Sequence, residues 1–222
     1  MAAVFSRKLA ACSRVLEENN LMHMVCLDLE GVLVPEVWIA FADAVGIPEL
    51  RRTTREEADY SKLMQFRLDI LAENNLKLVD IQQVVSGMNP LPGAVEFVRA
   101  VRERTQLVIL SDIFEQFAKP LIEKLGWPTM LCNDLEMDSA GVMTGYKLRQ
   151  ENGKMKAVKA FKSLNVNVFA AGDSLNDLAM IREADAGCLF HAPENIRKDC
   201  TDIPHVDSYD ELLVKIDAFL CN

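Results

Sequence analysis

The sequence lacks the features that direct a chain to a membrane, to nucleic acid or to an oxidising compartment. Its 222 residues include no apolar run long enough to cross a bilayer. Its formal net charge of -9 gives no general attraction to nucleic acid or anionic lipid. The 6 cysteines include no CxxC pair, which favours small buried thiols in a reducing compartment over disulfides or a zinc site. We therefore expect a cytoplasmic protein without nucleic-acid or membrane partners.

Histidine is also scarce, and the 3 histidines, His23, His191 and His205, share no spacing. This disfavours a histidine metal site or a histidine acting as the base for a nucleophile. Several aromatic residues fall on apolar helical faces, where core packing is the simpler interpretation than ligand recognition. These predicted core residues are Trp38, Phe41, Phe97 and Phe161.

Residues 1–22 form an N-terminal extension with apolar residues at helical spacing, which predicts an amphipathic helix. Three interpretations stay open for it: an organelle-targeting peptide, a docking helix, or an artefact of the chosen start site. The third is open because Met22 and Met24 follow and could be start sites. The segment is short and lacks a clear cleavage context, so targeting is the minority interpretation.

Apolar strand-like segments alternate with helical patterns along most of the remaining chain, which predicts a parallel sheet covered by helices. The candidate strands are 24–28, 107–111, 129–132, 168–172 and 187–190. The helical segments between them are 93–104, 114–125 and 155–164. Segment 134–149 differs, because two glycines interrupt short alternating runs, and it is typical of a β-hairpin. The predicted fold class is α/β, with a doubly wound parallel sheet.

The interval after the first strand contains helical patterns and no convincing strand. The patterns cover 36–45, 60–74 and 78–87, which predicts a helical cap inserted after the first strand and able to close over a site. A packing appendage without a gating function is the alternative. The predicted organisation is an extension at 1–22, a catalytic core at 23–34 and 89–222, and a cap at 35–88.

Two carboxylates follow the first candidate strand directly. Asp28 stands at the carboxyl end of that strand, where open α/β sheets bind ligands. Glu30 lies two residues on, and residues two apart in an extended chain share a face. Asp28 is therefore a candidate nucleophile and Glu30 a candidate acid/base. Capping of the turn at Gly31 is the alternative function of both acids.

Two further acids follow the fourth candidate strand. Asp173 and Asp177 are separated by four positions after Gly172, which permits a tight backbone turn. Paired carboxylates suit Mg²⁺, and Asn176 offers an amide in the same loop. An Asp/Asn-rich helix cap is the alternative interpretation.

Two other polar positions are weak signals when taken alone. Ser111 and Asp112 follow the second candidate strand, where a hydroxyl and backbone N–H groups can hold phosphate oxygens, although an ordinary turn has the same sequence. Lys154 precedes the helix that leads into the fourth strand. It could balance charge on a phosphate and a nucleophile, or simply be a surface lysine.

Read in order, these four segments resemble the motifs of the haloacid-dehalogenase superfamily of phosphatases. The order is Asp-x-Glu, then Ser, then Lys, then Gly-Asp-x-x-Asn-Asp, and the resemblance spans about residues 24–195. It implies a phospho-aspartate at Asp28. It also implies Mg²⁺ held by Asp28, the backbone carbonyl of Glu30 and Asp173, with Asp177 supporting the metal site.

Longer stretches are similar to the phosphoserine phosphatase branch, and more so to bifunctional phosphoserine phosphatase/homoserine phosphotransferases. They are 27–36, the cap run around 63–68, 108–112, 160–164, 170–174 and 190–195. The resemblance implies a Mg²⁺-dependent enzyme that removes phosphate from O-phosphoserine and also transfers it to homoserine. Asp28, Glu30, Ser111 and Lys154 are then the catalytic residues.

The same resemblance indicates how a zwitterionic substrate would be held. Arg67 suits the carboxylate and Glu36 the ammonium group of phosphoserine. The phosphate end is assigned to Ser111, Lys154 and Asn176, with Asp112 also among the predicted substrate-binding residues. A solvated helix cation and an ordinary helix-start acid are the alternatives for Arg67 and Glu36.

One position departs from the wider superfamily, in which Asp commonly stands two places after the nucleophile. Here that residue is Glu30, as it is in the bifunctional group.

The rival functions are a phosphatase for another small phosphorylated metabolite and a catalytically silent fold used as a scaffold. The predicted partners are the small molecules named above, and a homodimer is left open.

Overall fold

The segments predicted as alternating strands and helices form a seven-stranded sheet with helices in the connections. The computed structural model describes residues 22–53, 56–57 and 59–221. The helix and targeting function expected within 1–22 therefore lie, except for Met22, outside the described residues. None of the helices in the described ranges is long and apolar enough to span a bilayer.

The strands and helices lie close to their predicted positions. The strands are β1 (Met22–Leu27), β2 (Gln106–Phe114), β3 (Thr129–Met137), β4 (Met143–Lys147), β5 (Val166–Gly172), β6 (Ala186–Phe190) and β7 (His205–Val206). The first helices in the described chain are α1 (Val37–Val45), α2 (Tyr60–Glu73), α3 (Leu78–Gly87), α4 (Ala94–Arg102) and α5 (Glu115–Lys124). They are followed by α6 (Gly153–Ser163), α7 (Leu178–Glu183), α8 (Glu194–Asp199) and α9 (Tyr209–Leu220).

The sheet order is β4-β3-β2-β1-β5-β6-β7, so the chain winds outward in both directions from β1. The pairs β1–β2, β1–β5, β5–β6 and β6–β7 are parallel, whereas β3–β4 is antiparallel. The predicted doubly wound α/β fold is confirmed. In such a sheet, the point where the strand order reverses is where ligands bind.

The chain divides into two compact units that we describe separately. The first comprises the described residues up to Asp28, then Glu96–Leu110 and 152–221. The second comprises Leu29–Val95 and Ser111–Glu151. The predicted cap boundaries at 35 and 88 stay a prediction.

In the first unit, β1 is fully buried where it approaches its carboxyl end. Val25, Cys26 and Leu27 have no exposed surface, as expected of a central strand of a parallel sheet. Leu27 pairs in register with Ala171 of β5, and the N–H of Asp28 donates to the Ala171 carbonyl at 3.0 Å. This register brings the residues after β1 and after β5 to the same edge of the sheet.

In the second unit, the hairpin expected at 134–149 is formed by β3 and β4. The strand predicted at 129–132 is confirmed but is longer than predicted, because β3 continues to Met137 and forms the first arm of the hairpin. The three helical patterns predicted between the first two strands are confirmed as α1, α2 and α3.

The second strand is longer than predicted. The predicted strand ends at Ser111, whereas β2 continues through Asp112 to Phe114. Buried Ile113 and Phe114 prolong the apolar pattern, and the amide of Asn133 in β3 donates to the Asp112 carbonyl at 3.2 Å. Asp112 is therefore a strand residue rather than a loop residue.

Smaller differences concern single residues. Trp38, Phe41 and Phe97 are buried as predicted, but Phe161 is only half-buried. Lys154 lies inside the first turn of α6 rather than before the helix. The two-residue strand β7 is too short to give a sequence pattern. Among the described cysteines all are free thiols, and those of the predicted strands are buried: Cys26, Cys132 and Cys188.

Candidate active site

Four buried charged side chains meet in the first unit, at the carboxyl ends of β1 and β5. They are Asp28, Lys154, Asp173 and Asp177, each no more than 6% exposed. The Nζ atom of Lys154 lies 2.9 Å from Oδ1 of Asp28 and 2.7 Å from Oδ1 of Asp177. The structure thus brings together four of the residues that the sequence singled out separately.

The loop after β5 is shaped around the Asp177 carboxylate. Its Oδ2 atom accepts hydrogen bonds from the backbone N–H groups of Asp173 at 3.0 Å and Ser174 at 3.1 Å. A Cβ atom on Gly172 would lie 2.2 Å from the Cγ atom of Asp177. Only glycine fits at this position, because the carboxylate occupies the space of a side chain.

Lys154 reaches the acids from the first turn of α6, after Asn152 in a left-handed conformation with φ of 52°. A cation at the amino end of a helix is unfavourable for the helix dipole, and a buried lysine is uncommon unless it is paired. Its position is therefore explained by its two carboxylate partners rather than by helix formation.

The cluster contains more negative than positive charge. Burial raises the pKa of Asp28 well above its ordinary value, and repulsion from Asp177 and Asp173 adds to this, while Lys154 opposes it. The described residues of this cluster include three carboxylates and one cation. An additional cation would relieve the repulsion among the acids.

The donors present fit a hard divalent cation. Oxygen atoms of Asp28, Asp173 and Asp177 all lie within 4.8 Å of one another, and Mg²⁺ prefers carboxylate oxygens. Both oxygens of Asp177 already accept hydrogen bonds, from Lys154 and from backbone N–H groups. Asp28 and Asp173 are therefore the better candidates for direct ligands, and Asp177 suits a supporting function.

A second group of predicted residues lies in the second unit. Gly31 adopts a φ of 76° in the turn after Asp28, and its N–H donates to the Val34 carbonyl at 2.8 Å. Oε1 of Glu30 accepts a hydrogen bond at 2.8 Å from the N–H of Val37, the first residue of α1. A capping function of Glu30 at the turn was the alternative considered from the sequence, and the structure has this acid accepting the N–H at the start of α1.

Arg67, on α2, is 6% exposed. Its guanidinium carbon lies 4.4 Å from the ring centroid of Trp38, and Nη2 donates to the Arg52 carbonyl at 2.8 Å. Nη1 lies 3.7 Å from the Met64 sulfur, and buried Nε has no hydrogen-bond partner among the described residues. The alternative of a solvated helix cation is wrong, because this side chain is buried.

The surroundings of Arg67 combine burial with several acidic or ionisable neighbours. Burial lowers the pKa of Arg67 to about 10, and the negative charges of Glu30 and Glu36 oppose this lowering. Burial also raises the pKa of Tyr60, so its phenol stays neutral at physiological pH. Glu36 is half-buried at the N-cap position of α1. The arrangement places the buried cation of Arg67 near the carboxylates of Glu30 and Glu36. A cation beside carboxylates suits a ligand that carries both a negative and a positive group.

The three other predicted substrate-binding residues differ in burial and in their hydrogen bonds. Ser111 is buried, and its hydroxyl accepts from the N–H of Ile113 at 3.2 Å, which leaves the hydroxyl proton able to donate. Asp112 is half-buried in the second unit. Asn176 is exposed in the first unit, where its amide oxygen accepts from the Ser174 hydroxyl.

Sequence reasoning missed two residues of the Arg67 surroundings. Trp38 was interpreted only as core, although one face of its indole carries the guanidinium. Tyr60 was not singled out at all. Tyr60 stands seven positions before Arg67 in α2, whereas Trp38 lies on α1, and a helical spacing alone does not identify a contact between separate helices.

The geometry at Gly172 gives a direct prediction for Gly172→Ala. The new methyl group must displace the Asp177 carboxylate, so we expect the Tm to fall by roughly 3–10 °C and stabilisation by added Mg²⁺ to be lost. Thermal unfolding with and without Mg²⁺ measures both effects. The matched control is Gly87→Ala at the end of α3, where a Cβ atom meets nothing within 4 Å. A Gly172→Ala protein that behaves like this control would contradict the described packing.

The fold and the buried acidic cluster define the class of protein: an α/β enzyme with its charged site at the strand ends of a doubly wound sheet. Residues 32–182 match the family of haloacid dehalogenase-like hydrolases. The chain belongs to this family, which confirms the resemblance found in the sequence.

Individual proteins agree with this assignment. The chain is 55% identical over 191 residues to phosphoserine phosphatase ThrH of Pseudomonas aeruginosa, covering 86% of this chain and 93% of that protein. It is 54% identical over 191 residues to a phosphoserine phosphatase of Pseudomonas syringae pv. tomato, covering 86% and 81%. A solved phosphoserine phosphatase in the form of a phospho-aspartyl intermediate analogue has the same fold, with a TM-score of 0.72, 18% identity, and coverage of 87% and 98%.

Proposed function

We propose that the protein is a Mg²⁺-dependent phosphoserine phosphatase that also transfers the phosphoryl group to homoserine. The observation that carries this proposal is the position of Asp28, buried at the end of β1 and 2.9 Å from Lys154. A carboxylate held in this way is oriented for attack on phosphorus. The substrate follows from the names of relatives that are about 55% identical over most of both chains.

In the first step, a carboxylate oxygen of Asp28 attacks the phosphorus atom, and the bond from phosphorus to the serine oxygen breaks. Lys154 offsets negative charge on the nucleophile and on the phosphoryl oxygens. Mg²⁺, held by Asp28, the Glu30 carbonyl and Asp173, supplies further charge compensation when bound. The product on the enzyme is a phospho-aspartate at residue 28.

Glu30 acts as the acid/base of both half-reactions. It gives a proton to the departing serine oxygen, and then takes a proton from water or from the homoserine hydroxyl that attacks the phospho-aspartate. The bond from Asp28 to phosphorus then breaks, releasing phosphate or phosphohomoserine. The hydrogen bond from the Val37 N–H to Oε1 fixes the Glu30 side chain, and only Leu29 separates Glu30 from Asp28 in the chain.

Substrate selection depends on the second unit. Arg67, whose buried Nε has no partner among the described residues, binds the amino-acid carboxylate, and Glu36 binds the ammonium group. Ser111, Lys154 and Asn176 contact the phosphate end, and Asp112 is a further substrate-binding residue. The cap at 35–88 supplies Glu36 and Arg67 and shields the intermediate from water. A cytoplasmic location and a homodimer remain expectations.

Phosphorus NMR tests the reaction and the substrate together. We expect pure protein with O-phosphoserine and Mg²⁺ to release inorganic phosphate, and addition of homoserine to give phosphohomoserine as a second product. Removal of Mg²⁺ with EDTA should stop both reactions. A panel that includes sugar and nucleotide monophosphates tests the alternative of another small metabolite. Faster turnover of any of these than of phosphoserine would overturn the proposed substrate.

The Glu30→Asp variant tests the function assigned to the longer acid. Its carboxyl group retreats by roughly one bond length of about 1.5 Å, which should break the bond to the Val37 N–H and favour small water over the alcohol. We expect the ratio of transfer to hydrolysis to fall by roughly 3- to 10-fold, or about 0.7–1.4 kcal/mol between the competing transition states. The NMR assay measures this ratio, with exposed Glu49→Asp as the matched control. An unchanged ratio would contradict the assignment.

A further inference from the structure

Trp38 has two kinds of neighbour that differ in chemistry. Phe41 and Phe117 contact its ring edge-to-face, each with centroids 6.3 Å apart. The Arg67 guanidinium lies over the ring, 4.4 Å from its centroid. The aromatic contacts fix the plane of the indole, and the fixed plane then holds a cation by attraction to the negative face of the ring.

The remaining contacts of Arg67 complete a defined orientation. Its Nη2 atom donates to the Arg52 carbonyl at 2.8 Å, and Nη1 lies 3.7 Å from the Met64 sulfur. Nε is buried and has no hydrogen-bond partner among the described residues. A buried N–H without a partner is unfavourable, and a carboxylate ligand would satisfy it with a charge-assisted hydrogen bond.

An arginine in water samples many rotamers, and ordering it upon ligand binding weakens the binding. A guanidinium already seated on a fixed ring avoids much of that loss. The indole also offers no hydrogen-bond acceptor on its face, so it orients the cation without satisfying Nε. These properties distinguish Trp38 from a residue that only fills the core.

We propose that Trp38 is a positioning residue that determines specificity for substrates bearing a carboxylate, because it holds Arg67 with Nε available to that group. The inference rests on the proposed function, in which Arg67 binds the amino-acid carboxylate. Trp38 acts through Arg67 and does not itself touch the reacting atoms.

A double-mutant cycle tests this function by kinetics. In the wild-type background, Trp38→Leu should raise KM for O-phosphoserine by about 10-fold, equivalent to ~1.4 kcal/mol, with kcat changed less than about 2-fold. Trp38→Phe, which keeps an aromatic face, should restore most of the affinity. O-phosphoethanolamine lacks the carboxylate, so its KM should be insensitive to Trp38→Leu. In an Arg67→Met background, Trp38→Leu should raise KM for O-phosphoserine no further.

The outcomes separate positioning from packing. Equal losses with O-phosphoserine and O-phosphoethanolamine, or an undiminished loss in the Arg67→Met background, would overturn the proposal and leave Trp38 a packing residue. A KM for O-phosphoserine unaffected by Trp38→Leu would also overturn it. Absence of wild-type activity with O-phosphoserine would instead overturn the proposed function.

Tryptophan fluorescence gives a readout that needs no turnover. The chain has 2 tryptophans, and Trp127 is 53% exposed and is not among the residues assigned to substrate. In a Trp127→Phe protein, Trp38 is the sole reporter. L-serine should change its emission in a saturable manner, whereas ethanolamine, which lacks the carboxylate, should not. An identical response to both amines, or a response to L-serine that survives Arg67→Met, would contradict a carboxylate bound at the Arg67–Trp38 pair.

Discussion

Replacement of Asp28 by asparagine is expected to lower phosphoserine turnover by about 10⁴-fold or more, the scale of loss seen when a covalent nucleophile is removed. The amide oxygen has similar size but cannot form the phosphoryl ester at a useful rate. The fold should survive, because burial and repulsion from Asp177 and Asp173 disfavour a negative charge at this position, and the substitution removes that charge. Lys154 also keeps its contact with Asp177 at 2.7 Å.

Phosphate release and thermal unfolding should be measured on the same Asp28→Asn preparation. Asp210→Asn, an exposed position in the first turn of α9, provides the same chemical change away from the cluster. Turnover by Asp28→Asn equal to that of the wild type would mean either that Asp28 is not the nucleophile or that a contaminant is responsible. Both outcomes would contradict the assignment of catalysis to this residue.

Replacement of Arg67 by methionine is the second change with a large expected effect. It removes a charge-assisted, desolvated contact with the substrate carboxylate, which is worth about 2–4 kcal/mol, or roughly 30- to 1000-fold in kcat/KM for phosphoserine. The loss should appear mainly in KM. Stability should change little, because methionine fills the volume without requiring burial of a charge.

Two comparisons make the Arg67 result specific. O-phosphoethanolamine, which has no carboxylate, should lose far less activity than phosphoserine in the Arg67→Met protein. Arg67→Lys keeps the charge but not the planar fork of donors, so we expect an intermediate loss. Equal losses for both substrates would indicate that Arg67 stabilises the cap rather than binding the carboxylate.

The acids of the cluster were largely predictable because two of them end buried strands, whereas Lys154 was a weak signal when taken alone. Asp28 and Asp173 come directly after apolar strands, and parallel strands deliver their carboxyl ends to the same edge of a sheet. Gly172 indicated a tight turn, although the sequence did not reveal that the Asp177 carboxylate fills the space beside it. The positions of the acids directly after predicted strands were therefore sufficient to predict that their carboxylates lie close together.

Features that depend on contacts between distant segments were not predictable in this way. The second strand was expected to end at Ser111 because polar residues commonly end a strand, but β2 continues to Phe114. The hydrogen bond from Asn133 to Asp112 involves another strand, which the local pattern cannot report. The stacking of Arg67 on Trp38 likewise joins two helices separated by a long stretch of chain.

The most direct test of the central claim is to locate the phosphoryl group on the enzyme during turnover. Protein mixed with O-phosphoserine and Mg²⁺ would be quenched in acid, digested and examined by peptide mass spectrometry, with Asp28→Asn as the blank. The account predicts a phosphoryl group at Asp28, on the peptide that contains it, with the lability in base and in hydroxylamine of an acyl phosphate. A phosphoryl group on another residue, or none during sustained steady-state turnover with rapid quenching, would contradict it.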